Sequence, residues 1–263
     1  MFGITKNSNA LKRREDGEKP FWISFSDLMS SLMVLFLISM TVALLAVTNE
    51  PDIIAKEEKE RSEAIEEFMI QIDKILTAEE FSGIKRDGNT IDFGSRGTFE
   101  EGQNTLSPPQ RQLLRNFTPK LLATLRTTDA GKIWFKRAVV EGYASKTGTY
   151  LFNLNLSLER SQRVICELLR EPLNVVEKPF SLEDRKLIAT SFFVGGASFN
   201  SLRDESGARS RRIEIKLDFK TRLDKLEENG KPAPKLDDAE MEKALKPAEK
   251  CPIFDRSMSS SIS

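Results

Sequence analysis

Apolar residues follow three regimes along this chain. From Phe21 to Asn49 the sequence reads FWISFSDLMSSLMVLFLISMTVALLAVTN, with Asp27 as its one charge. Leu28 to Val47 is a run of 20 uncharged residues, about 30 Å of helix and enough to cross a hydrocarbon core. A cleavable signal peptide has a shorter core, about 7 to 15 residues, ending in a small-x-small site. Ala43-Leu44-Leu45 is a poor cleavage site, so a retained transmembrane helix over residues 21–48 is expected. Pro51 predicts a break. Ile65, Phe68, Met69, Ile72, Ile75 and Leu76 then recur at helical spacing, which predicts an amphipathic juxtamembrane helix within a linker or plug over residues 49–82. Its stripe has several partners open to it: a second copy of the chain, a partner subunit or the membrane surface. A solvated spacer with a short packed end is the plainer alternative.

From residue 83 to 220 the pattern becomes mixed. Thr90–Phe93 reads as a short strand before the turn-rich Gly94-Ser95-Arg96-Gly97. Ser107-Pro108-Pro109 opens a helix to about Arg126, with Leu113, Leu114, Phe117, Leu121, Leu122 and Leu125 on one face. Trp134–Gly142 reads as a strand and Leu156–Arg170 as a helix, with Ser157 as N-cap and Arg160 in its first turn. A short helix follows Phe180-Ser181, and Ser191–Gly196 and Arg212–Phe219 read as strands. The expected order is β-α-β-α-β-β, with helices packed on one sheet of an α+β domain. Residues 221–263 are rich in Lys, Glu, Asp and Pro and read as a tail, helical around Asp237–Leu245 and frayed at Ser257–Ser263.

Composition narrows the chemistry. The 263 residues carry 40 basic and 40 acidic side chains, no histidine and two cysteines. The absent imidazole excludes a Ser-His-Asp triad, a Cys-His pair and a histidine metal site, and two cysteines cannot build a four-cysteine zinc site. The Gly131-Lys132 and Gly230-Lys231 steps lack the earlier glycine of a phosphate loop, since positions 126 and 225 are Arg126 and Lys225. The balanced charge gives no support for nucleic-acid binding. No catalytic residue, resident cofactor or metal site is expected, and the chain is not read as an enzyme.

Charge does set an orientation. Lys6, Lys12, Arg13, Arg14 and Lys19 precede the apolar run, whereas Glu50 and Asp52 follow it. The positive-inside rule places residues 1–20 in the cytoplasm and the remainder outside, in the periplasm of a Gram-negative cell, with the span in the inner membrane. Asp27 lies about six residues inside the apolar stretch. A carboxylate there costs several kcal/mol unless it is solvated, paired or protonated. The functional reading is a carboxyl that loads and releases an ion, with Ser24 and Ser31 on the same helix face at spacings of three and four. The plainer reading is an acid that reaches for the headgroups. A single span cannot enclose an ion path, so the functional reading demands partner helices. Cys166 and Cys251 both fall outside the membrane, where an oxidising compartment permits a disulfide between them; two unpaired thiols are the alternative.

Two segments point to a family. Lys19-Pro20-Phe21-Trp22-Ile23-Ser24-Phe25-Ser26-Asp27-Leu28-Met29 resembles the single span of MotB-type stator subunits. Val140-Glu141-Gly142-Tyr143, Gly148, Asn153, Leu156-Ser157-x-x-Arg160 and Arg211-Arg212-Ile213-Glu214 resemble an OmpA-like peptidoglycan-binding domain. Within that superfamily the Lys-Pro-Phe-Trp-Ile-Ser start and the segment Gly148–Ser161 are similar to the ZorB-type stators of Zorya anti-phage defence. The resemblance implies two copies of this chain inside a ring of five ZorA-type subunits, with proton or sodium flow through Asp27 driving rotation that signals to cytoplasmic defence effectors. It implies peptidoglycan contact through Ser145, Asn153, Arg160, Arg211 and Arg212. One departure stands out: the family's diaminopimelate-binding Asp is Ser145 here, which can hydrogen-bond an ammonium but brings no charge. A flagellar stator subunit and a passive wall tether are the alternatives.

Overall fold

In the computed structural model the described residues are 19–173, 177–204, 207–230, 237–245 and 250–256. The basic residues before Lys19 and the Ser257–Ser263 end lie outside them. Helix α1 spans Lys19–Leu76, and the chain divides into two compact units, Met1–Glu57 and Glu58–Ser263. The break expected at Pro51 does not occur. One proline removes one backbone donor, and the Glu, Lys, Ala and Ile residues that follow are helix-competent enough to continue past it.

In the first unit, Trp22–Ala46 is a 25-residue window of mean hydropathy 2.4, long and apolar enough to cross a membrane, and none of it is buried. Two of its hydroxyls turn inward to the backbone. Ser39 Oγ donates to the Phe36 carbonyl at 2.9 Å and Thr41 Oγ1 to that of Leu37 at 2.7 Å, which satisfies them without solvent.

The second unit is an α+β domain. Its strands are β1 (Lys85–Asp87), β2 (Thr90–Asp92), β3 (Phe135–Gly142), β4 (Phe192–Gly196) and β5 (Ile213–Phe219). They form one sheet in the order β1-β2-β5-β3-β4, antiparallel except for β3 with β4. The helices are α2 (Pro108–Thr127), α3 (Tyr150–Leu169), α4 (Leu182–Ser191), α5 (Arg222–Gly230) and α6 (Asp238–Ala244). The parallel pair needs a crossover, which α3 and α4 supply. Strand β1, in a hairpin with β2, and helix α5 extend the expected order; β1 escaped notice because Lys-Arg-Asp has no apolar alternation.

Ile213, Ile215, Leu217 and Phe219 alternate into the core, where Leu114, Phe117, Leu121 and Leu122 of α2 and Val164 and Leu168 of α3 meet them. The opposite sheet face is charged: Arg137 pairs with its cross-strand partner Asp218 at 2.8 Å, and Lys216 with Glu141 at 2.6 Å. The stripe on the C-terminal part of α1 belongs to this core. Phe68 and Ile72 are fully buried, and Phe68 meets Phe219 edge to face at 5.6 Å. The stripe is therefore spent within its own domain rather than offered to a second copy or the membrane, and the compact unit begins at Glu58, not at 83. The tail also has more order than expected. Asp237 caps α6 by accepting from the Glu240 N–H at 2.6 Å, and Cys166 is disulfide-bonded to Cys251 across 85 residues.

Candidate functional site

Two places in the molecule carry the candidate residues. The first is on α1. Asp27, Ser24 and Ser31 are exposed and fall on one helix face. The surrounding Ile23, Leu28, Leu32, Val34 and Leu35 are exposed too.

The second place is where α3 meets the ends of β3 and β4. Two glycines set that approach. A Cβ on Gly142 would lie 1.9 Å from the Ser157 carbonyl oxygen, and one on Gly196 would lie 2.8 Å from the Leu158 nitrogen. Helix α3 therefore presses onto the strand ends at Ser157, which is fully buried, accepts from the Ser198 N–H at 3.0 Å and donates to the Leu154 carbonyl at 2.8 Å. Ser157 is not the N-cap. The helix starts two turns earlier, at Tyr150, and Thr149 Oγ1 accepts from the Phe152 N–H at 3.3 Å. Asn153 sits in this first turn, buried, and Nδ2 donates to the carbonyls of Thr147 at 2.8 Å and Thr149 at 3.1 Å, so it shapes the preceding loop from inside the helix.

Arg160 is consequently mid-helix, not in the first turn, and fully buried. Its Nε donates to the Gln103 carbonyl at 2.8 Å, Nη1 to Tyr143 at 2.8 Å and Nη2 to Glu100 at 3.1 Å. The guanidinium lies over the Phe99 ring, 4.9 Å from its centroid. Burial, and then the nearby Arg211 charge, push the Arg160 pKa below its ordinary value; three carbonyl dipoles offset that cost. Arg211 joins the same cluster, since its Nε donates to the Phe99 carbonyl at 2.9 Å. Ser145 is buried beside Gly207, where a Cβ would come within 2.6 Å of Ser145 Cβ. Ser145, Arg160 and Arg211 are thus brought together around Phe99 and Gly207.

Arg212 belongs elsewhere. Its buried Nε donates to Glu214 Oε1 at 2.7 Å, Nη1 donates to the Ser201 carbonyl at 3.0 Å, and the guanidinium stacks 4.0 Å from the Tyr143 ring centroid. Arg203 adds a second donor to Glu214 Oε1 at 2.6 Å and pairs with Asp92. The Tyr143 hydroxyl donates to Glu141 at 2.5 Å, and burial together with that bond pushes its pKa far up. Arg212 therefore braces the β4–β5 loop rather than lining an opening. The sequence held one sign of this network: Arg212 and Glu214 alternate on one face of a strand. Arg203, in an irregular loop, gave none. Among the described residues no group of three or more His, Cys, Asp or Glu is placed to hold a metal.

One apolar N-terminal helix runs into an α+β domain with an arginine cluster at its helix–strand junction, and that architecture defines the class of the protein. No family model matches the chain. It is 36% identical over 233 residues to the Zorya protein ZorB of Escherichia coli O139:H28 (strain E24377A / ETEC), covering 86% of this chain and 91% of that protein. The chain belongs to the ZorB family. Similar solved structures include the OmpA-like domain of FopA1 from Francisella tularensis subsp. tularensis SCHU S4, at 17% identity and a TM-score of 0.34 over 52% of this chain and 82% of that one. The periplasmic domain of Helicobacter pylori MotB is similar at 11% identity and a TM-score of 0.38, over 56% of this chain and 90% of that one.

Proposed function

We propose that this chain is the stator subunit of an ion-driven rotary complex in anti-phage defence. Two copies, with their spans inside a ring of ZorA-type subunits, carry protons or sodium ions on Asp27. Residues 1–20 are cytoplasmic, the span lies in the inner membrane and the α+β domain is periplasmic, held to peptidoglycan. Neutralising Asp27 lets its helix face slide against the ring, and release to the cytoplasm resets it. One elementary charge crossing about 100 mV supplies roughly 2.3 kcal/mol, so repeated small steps are feasible. Rotation then signals to cytoplasmic effectors.

The observation that carries this reading is Asp27 itself: a carboxyl on the exposed face of an apolar helix with no burial in its own chain. A carboxyl so placed needs wet or polar partner helices. The wall-binding half rests on Ser145, Arg160 and Arg211, with Asn153 shaping the adjacent loop. Ser145 supplies no charge, so Arg211, and Arg160 once its carbonyl partners are displaced, would take the carboxylates of the peptide stem.

The test is phage plating with the full operon, comparing wild type with Asp27→Asn at matched membrane levels. The reading predicts that protection is lost while the complex still assembles. Retained protection would leave a passive tether. If wild type protects against no phage tested, the defence reading fails and rescue of swimming in a stator-deficient strain becomes the deciding assay.

A further inference from the structure

The C-terminal segment Cys251–Arg256 lies across α3 as a bound peptide would, and the residues that hold it are built for that task. Asn104 is fully buried, yet its side chain is turned wholly to this contact. Its Nδ2 donates to the Phe254 carbonyl at 2.9 Å and to Glu159 Oε2 at 2.9 Å, while its Oδ1 accepts from the Arg256 N–H at 3.2 Å. One buried amide thus reads the backbone of two alternate residues of this segment. Glu159 completes the clamp with a bidentate pair: Arg256 Nε donates at 2.5 Å and Nη2 at 2.8 Å. Arg163 donates to the Ile253 carbonyl at 3.3 Å and to Asp255 at 2.5 Å. The Phe254 side chain is 74% exposed, so recognition is of backbone and charge, not of that ring. The disulfide to Cys166 pins the other end.

The position of this clamp gives it a consequence. Glu100 and Gln103 supply two of the three carbonyls that hold the Arg160 guanidinium, and Asn104 is the next residue along. On α3, Glu159 and Arg160 are adjacent. One face of segment 100–104 therefore grips Arg160, and its end grips the C-terminal segment. We infer that residues 251–256 are a strap that keeps Arg160 closed: with the strap docked, segment 100–104 is fixed and Arg160 is sealed beneath it; with the strap released, Asn104 and Glu159 lose their partners, the segment loosens and Arg160 becomes accessible to an anionic ligand. This rests on the wall-binding reading only for the identity of that ligand, the carboxylates of a peptide stem.

The test releases the strap with substitutions confined to the pin and the strap: Cys166→Ser/Cys251→Ser/Arg256→Ala in the full-length chain in detergent. Amide exchange across residues 100–104 and modification of Arg160 by an arginine-selective dicarbonyl, located by peptide mass mapping, read the opening directly. Both should rise about tenfold, the effect of losing one charge-assisted clamp. Arg256→Ala alone, with the disulfide intact, should give a smaller rise in the same peptides and keeps the test sound if the triple variant unfolds. Unchanged exchange and unchanged Arg160 modification in both variants would overturn the strap. Pelleting with purified diaminopimelate-type sacculi separates the two claims. Increased pelleting supports the strap and the ligand together. An opened Arg160 without increased pelleting upholds the strap and defeats the wall-binding reading of Arg160.

Discussion

Asp27 and Arg160 are both charges in apolar surroundings, and the chain treats them in opposite ways. Arg160 is fully buried, and each nitrogen of its guanidinium donates to a carbonyl supplied by the same domain. Asp27 sits on a helix window of which nothing is buried. The domain is self-sufficient, with a core, a braced loop and a strapped tail. The apolar helix has no such burial, and in the proposed function its polar face is covered by other helices. A charge whose needs are met within its own fold reads as architecture, while one whose needs are left open reads as a point of assembly.

That contrast can be broken from the domain side. Arg160→Met removes the donor to three backbone carbonyls from a fully buried position and should cost about 3–5 kcal/mol, seen as a lowered urea midpoint with an unchanged slope. A wild-type midpoint would mean that Arg160 is not architectural. Phe68→Ala opens a cavity beneath Phe219 and should cost a similar ~3–5 kcal/mol. Because Phe68 lies on the stripe first read as a linker or plug, a loss below about 1 kcal/mol would return α1's C-terminal half to that role. Gly142→Ala forces a Cβ against the Ser157 carbonyl and should cost about 1–3 kcal/mol through displaced packing of α3.

The smallest effect concerns pH. Burial raises the Glu159 pKa, but Arg256 and Asn104 outweigh it, so the carboxyl is held below its ordinary 4.5. A depressed carboxylate contributes stability above its unfolded value and loses it as pH falls through the folded one. The strap should therefore weaken below about pH 4.5, and Glu159→Gln should remove that dependence at a cost of about 1 kcal/mol near neutrality. An identical acid profile in wild type and Glu159→Gln would show that Glu159 does not hold the strap.

Much of this was legible in the chain. The apolar window, the face of α2 and the alternation of β5 announced themselves, because length and period follow directly from burial. Asp27 was legible for the same reason: a single charge is conspicuous beside a run of 20 uncharged residues. The start of α3 was not. Tyr150–Leu154 is part of a helix whose early turns leave Tyr150, Leu151 and Phe152 exposed, so no buried stripe marks it, and Ser157 imitates a cap. The destination of the α1 stripe was equally hidden, since an amphipathic helix does not say what it packs against. Nor could the arginines be sorted from sequence. Arg160, Arg211 and Arg212 look alike in a string, and only placement separates a sealed guanidinium from a loop brace.

The claim at the centre is that Asp27 is the ion-carrying group of an assembly this helix cannot form alone. The direct measurement is ion flux into sealed vesicles holding this chain together with its ZorA-type partner, driven in turn by a proton and a sodium gradient, for wild type and Asp27→Asn. The account predicts flux on one of the two gradients that needs both proteins and is lost in Asp27→Asn while the complex stays intact. Flux that survives the substitution, or its absence from the intact wild-type complex on both gradients, would contradict it.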